Sequence, residues 1–176
     1  MMDTDHTDFA ALRRAAAAGS VIASFNCESF SMERLKVLGR AEKYTGDREA
    51  LVADAEQALY ASKITSYAQG LNLLRMASQE YEWGLDLSRV VPVWRAGCII
   101  RASLLSDITN AYRRNPGLSN LMLDDAFKAA ILSRQAAWRR VVQIGVGLGI
   151  PMLASSASLA YFDAYRSEVL PANLTQ

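Results

Sequence analysis

Apolar residues recur at helical spacing along nearly the whole chain, and no stretch alternates apolar and polar side chains long enough to make a strand. Alanine is abundant. Glycine and proline are sparse and fall where one periodic segment gives way to the next. The pattern predicts an all-α, multi-helix domain. The first segments are Asp8–Ala18, Ala-rich and stopped by Gly19; Val21–Phe30, apolar and either helical or extended; and Ser31–Tyr44, with Ser31 as N-cap, before a break at Thr45-Gly46.

Asp47 is then expected to cap one long central helix that runs to about Trp83 and is ended by Gly84. It carries Leu51, Ala55, Ala58, Leu59, Ser62, Tyr67, Gly70, Leu73, Leu74, Ala77 and Tyr81 at helical spacings, and Tyr67, Gly70 and Leu74 read as one buried stripe. Small residues (Ala58, Ala61, Ser62, Ala68, Gly70, Ala77) would admit a close helix neighbour. A helix of roughly 35 residues is about 50 Å long, far beyond the average of ~10–14 residues, so a partner surface is expected on it. Downstream, Ser88 is expected to cap a helix through Val91, Val93 and Trp94, and a helix over about Ile99–Asn115 stops at Asn115-Pro116-Gly117. Leu118–Leu123 reads as an apolar turn. Asp124-Asp125 open the helix Asp124–Leu148, where negative charge suits the helix dipole. After Gly149-Ile150-Pro151 a last helix spans about Leu153–Val169, and a short tail begins at Pro171.

At 176 residues the chain is about one domain long. With 51% hydrophobic and 21% charged residues it is globular rather than disordered. Lys+Arg number 19 against 18 Asp+Glu, a balance that argues against nucleic acid as a partner. Two cysteines (Cys27, Cys98) and one histidine (His6) are too few for a zinc site of Cys and His ligands. His6 lies in the polar leader Met1–Asp8, so a His-dependent triad is disfavoured, and the cysteines read as free thiols of a cytoplasmic protein. Val141–Phe162 is 22 residues without a charge, about the ~20 that span a bilayer. Pro151, three glycines and Gln143, Ser155, Ser156 and Ser158 interrupt it, so two consecutive core helices are expected and no membrane span.

The candidate residues for chemistry mostly have a structural explanation. Asp124 and Asp125 diverge by about 100° on a helix and do not form a facing acid/base pair. Cys98, beside Ile99-Ile100, reads as a buried small hydrophobe. Arg95 and Arg101 flank Gly97 and are the candidates for a converging anion site; with Arg113-Arg114 and Arg139-Arg140, their default is pairing with carboxylates. Trp83, Trp94 and Trp138 are too far apart to predict a stacking platform. Gly145-Val146-Gly147-Leu148-Gly149 lies at a helix end, whereas a phosphate cradle needs its glycines at a helix start.

Several blocks nevertheless share an order with one enzyme family. Ala58-Leu59-Tyr60-Ala61-Ser62-Lys63-Ile64 is followed by Ser66-Tyr67-Ala68-Gln69-Gly70, then by Trp94-Arg95-Ala96-Gly97-Cys98-Ile99-Ile100-Arg101. Arg114-Asn115-Pro116, Leu123-Asp124-Asp125, Trp138-Arg139-Arg140-Val141 and Gly149-Ile150-Pro151 come next, then Tyr161-Phe162-Asp163-Ala164-Tyr165-Arg166 and Leu170-Pro171-Ala172-Asn173-Leu174. Together they resemble the all-helical C-terminal domain of the decarboxylating 6-phosphogluconate dehydrogenases. The resemblance covers residues 46–176 and leaves 1–45 as a poorly matching segment.

The resemblance implies the helical, dimer-forming and substrate-site-building portion of an enzyme whose NADP takes a hydride from C3 of the sugar acid. Loss of carbon dioxide from the 3-keto acid then gives ribulose 5-phosphate, in the pentose phosphate pathway. The family's dinucleotide fingerprint, its K-G-T-G-x-W signature and the stretch with its catalytic lysine and glutamate have no counterpart in this sequence. Neither has the tail that brings an arginine and a histidine to the neighbouring site. Where an A-V-x-A-R-like segment carries a phosphate-binding arginine, Val21-Ile22-Ala23-Ser24 has serine. No catalytic, cofactor-binding or metal residue is therefore assigned, no cofactor is expected in this chain, and it is expected to be a truncated homodimer, inactive alone. The alternative is a stand-alone helical interaction or regulatory module, pairing with a full-length dehydrogenase subunit.

Overall fold

The structure, a computed structural model, describes residues 46–95 and 103–170. The expected segments Asp8–Ala18, Val21–Phe30 and Ser31–Tyr44, together with His6, Cys27, Gly97, Cys98, Arg101 and the tail from Pro171, lie outside the described residues. Within them every regular element is helical: α1 (Arg48–Glu80), α2 (Leu87–Val90), α3 (Leu104–Arg114), α4 (Asp125–Gly147) and α5 (Leu153–Tyr165), with 3-10 turns at Val91–Arg95 and Leu121–Leu123.

The long helix starts as the sequence predicts, with Asp47 Oδ1 accepting from Ala50 N at 3.0 Å. It ends earlier than Trp83. Tyr81 N donates to Ala77 O and Trp83 N to Ser78 O, and Glu82 takes φ +53° between them. This is the closure that a left-handed residue allows after a helix, so Glu82, ahead of Gly84, ends α1. The buried line also differs from the expected one. Leu51, Ala58, Ala61, Ile64, Thr65, Ala68, Leu71 and Ser78 face the core. Tyr67 and Leu74 pack at its edge, and Gly70 is exposed. Apolar and small residues cover a wide arc of α1, so two adjacent lines both have helical spacing, and the other helices decide which is covered.

α4 runs antiparallel to α1. Asp54 meets Arg140 and Tyr60 lies under Arg134, while Arg75 reaches Ser119 just before α4 begins, so the partner falls in number as α1 rises. α5 closes the layer. Ser158 Oγ meets Ser66 Oγ of α1 at 3.1 Å, and Trp138 Nε1 of α4 donates to Ser155 Oγ at 2.8 Å. Trp138, Ile64, Leu71, Leu105, Ile108, Leu121 and Ile131 are the largest fully buried apolar side chains. The expected helix capped by Ser88 is instead capped by Asp86, whose carboxylate accepts from Ser88 N at 2.9 Å. Pro92 has no N–H to return to Ser88 O, and the chain tightens into a 3-10 turn there.

α4 begins at Asp125 with Asp124 as its cap, accepting from Ala126 N and Phe127 N. It ends in a two-bond closure: Ile150 N donates to Gly145 O at 2.8 Å and Gly149 N to Val146 O at 3.0 Å, with Gly149 at φ +68°. The glycine-rich run is thus a helix stop. Val141–Phe162 is divided between α4 and α5 as expected, and among the described residues no helix is long and apolar enough to cross a membrane. α5 stops at Tyr165, short of the expected Val169.

Candidate functional site

Of the arginines singled out in the sequence, Arg95, Arg114, Arg139 and Arg140 each bond a different partner. Arg95 donates to Ser106 Oγ at the start of α3, and its expected neighbour Arg101 lies outside the described residues. Arg114 bonds Asp124 at 2.8 Å and so ties the end of α3 to the cap of α4. Arg140 grips Asp54 with two bonds of 2.7 Å. Arg139 grips Asp163 across the α4–α5 seam, and Arg166 reaches the same carboxylate at 3.0 Å while its guanidinium lies over Phe162. The hydrogen bond from Arg139 holds the Asp163 carboxyl below the usual aspartate range, with further help from the two positive charges, against the opposing effect of burial. Such forks favour arginine over lysine because two parallel N–H groups match one carboxylate. Their role here is to lock helices together.

Asp124 and Asp125 behave as the sequence suggests, one as cap and one in the first turn. Among the described residues no three of His, Cys, Asp and Glu gather as a metal site would require. A polar cluster that sequence reasoning missed joins four segments. Arg75 donates to Asn72, Gln79 and Ser119 O, and the buried Asn120 donates from Nδ2 to Tyr161 Oη at 3.0 Å. Tyr112 is buried close to this cluster, with no hydrogen-bond partner for its hydroxyl among the described residues, and burial pushes that phenol up to about 12. Partners this distant in sequence leave no local pattern. A second missed feature, the stack of Tyr81 on Trp83, had one signal: two aromatics two residues apart around a helix stop.

A model of the C-terminal domain of 6-phosphogluconate dehydrogenase matches residues 8–176. The chain belongs to the 6-phosphogluconate dehydrogenase family. The match begins upstream of residue 46, where the resemblance read from the sequence starts. Among curated relatives, 6-phosphogluconate dehydrogenase, decarboxylating 1, of Spinacia oleracea is 55% identical over 130 residues, 74% of this chain and 27% of the relative. The decarboxylating enzyme of Synechococcus elongatus is 46% identical over 162 residues, 92% of this chain and 34% of the relative. A solved structure of the Plasmodium falciparum enzyme, described with its cofactor NADP+ and its substrate 6-phosphogluconate, superposes with a TM-score of 0.71 at 40% identity. That superposition covers 82% of this chain and 32% of the other. The chain therefore spans about a third of the length of the relatives it matches, and the all-helical fold is that of their C-terminal domain.

Proposed function

We propose that this chain supplies the helical, dimer-building and substrate-site-building portion of an NADP-dependent 6-phosphogluconate dehydrogenase of the cytoplasm. The complete enzyme would oxidise and decarboxylate 6-phosphogluconate to ribulose 5-phosphate, with NADP bound by other segments. The observation that carries the reading is the match to the C-terminal domain over residues 8–176. The side-chain arrangement supports it: Arg139 and Arg140 of α4 hold that helix to α5 and α1, and Asp47, Asp86 and Asp124 cap helices. A hydride transfer needs cofactor and sugar acid held in one geometry, and these residues assemble no such place.

The dimer half of the reading is supported by surface left uncovered. On α5, Leu153 is 77% exposed and Ala154, Ala157 and Ala160 are exposed beside it, so this flank of the helix offers only apolar side chains. Contiguous apolar surface of this kind marks interfaces, and two-fold pairing is the commonest way to bury it. Turnover is tested by following NADPH formation from NADP and 6-phosphogluconate with purified chain. The expected trace is flat. Turnover above a blank, reproduced across preparations, would overturn the architectural role.

A further inference from the structure

The corner that joins α1 to α2 carries an arrangement that neither the core nor the proposed dehydrogenase role uses. Tyr81 and Trp83 stack with ring centroids 5.3 Å apart and planes 28° from parallel, while remaining 65% and 54% exposed. Glu82, between them, holds φ at +53°, a conformation glycine adopts freely and a residue with a Cβ does not. A carboxylate is thus held at a conformational cost in a place where glycine would cost little, and outliers of this kind collect at binding sites.

In sequence the charges nearest the rings are acidic. Glu80 precedes the stack and Asp86 follows it. Asp86 is occupied in capping α2, with Arg89 acting on it electrostatically. Arg75, further back on α1, is turned to Asn72, Gln79 and Ser119. Among the described residues Glu80 and Glu82 form no ion pair. Aromatic faces attract cations within about 6 Å, and a guanidinium can stack on a ring while its N–H groups reach a carboxylate.

We propose that the Tyr81–Glu82–Trp83 corner docks a cationic peptide segment, with an arginine lying over the exposed aromatic surface and its fork meeting the carboxylate of Glu82. Charge complementarity selects this occupant. An acidic segment would be repelled, and an apolar one would strip water from two carboxylates without pairing them.

Calorimetric titration of the full chain with a blocked hexapeptide carrying three arginines, against its uncharged citrulline counterpart, reads the site. Saturable binding of the arginine peptide alone is expected, weakened at least tenfold by Trp83→Ala and by Glu82→Gln. Both positions are exposed, and circular dichroism confirms that the variants keep their helix. Glu82→Gly separates the two roles of the residue: it is expected to raise Tm while weakening the peptide as much as Glu82→Gln does. No saturable binding by the wild-type chain, or a loss of less than tenfold in either Trp83→Ala or Glu82→Gln, overturns the proposal.

Discussion

Two glycines on different helices should answer the same substitution with opposite signs. At Gly145 an added Cβ would sit 2.6 Å from both Cγ and Sδ of Met152 and 3.4 Å from its Cε. Carbon atoms rest comfortably at about 3.5–4.0 Å, so Met152 would have to retreat by about 1 Å. The near atoms are in the middle of its side chain, and Met152 is only 8% exposed, so a simple swing of the tip does not relieve the clash. Overpacking of this kind costs about 1–3 kcal/mol, against a gain of about 1 kcal/mol from replacing a helical glycine by alanine. Gly145→Ala should therefore be destabilising by up to about 2 kcal/mol. At Gly70 nothing lies within 4 Å of the added Cβ, so Gly70→Ala should stabilise by about 0.5–1 kcal/mol. Urea unfolding followed by helical circular dichroism gives both values. A change of 1 kcal/mol corresponds to about 2–4 °C in Tm for a chain of this size. In a Met152→Ala background the Gly145→Ala step should turn favourable. Equal stabilisation at both glycines in the wild-type background would refute the close approach at Gly145. A destabilising Gly70→Ala would show that another surface lies against α1 there.

Other perturbations test separate parts of the structure. Tyr112→Phe removes a buried hydroxyl that has no partner among the described residues, and should leave stability unchanged or raise it by about 1 kcal/mol, read by urea titration. Glu82→Gly relieves the left-handed strain at the end of α1 and should stabilise by about 1 kcal/mol despite the added freedom of the unfolded chain, seen as a higher Tm. Because Asp163 has a depressed pKa in the folded state, its contribution is complete above the ordinary unfolded value of about 3.9 and is lost as pH falls through the lower folded value. Asp163→Asn should flatten the dependence of Tm on pH below about 4, and an unchanged profile would show that the Arg139 fork contributes nothing there.

Much of this fold was legible because its boundaries are set by local chemistry. Asp47 caps the helix it was expected to cap, Asp124-Asp125 stand at the start of α4 as expected, Asn115-Pro116-Gly117 ends α3, and Gly149 ends α4. What was misread depends on partners distant in sequence or on a single missing donor. The buried line of α1 passes through Ala58, Ala61, Thr65 and Ala68 rather than Gly70, because α4 and α5 lie on that side. Thr65 hides well there, since its hydroxyl bonds Ala61 O at 3.0 Å. Pro92 converted an expected α-helical stretch into a 3-10 turn. The pairings of Arg139 with Asp163 and Arg140 with Asp54 were foreseeable as a class of interaction, while the particular carboxylates emerge only when the helices are packed.

The central claim, that this domain serves assembly, is tested most directly by the mass of the purified chain in solution. Light scattering at tens of micromolar should give about twice the 19.3 kDa of one chain. Charging the exposed flank of α5 with Ala157→Glu should return that mass to one chain without loss of helix. A folded wild-type chain that scatters as a monomer at the same concentration would contradict the claim.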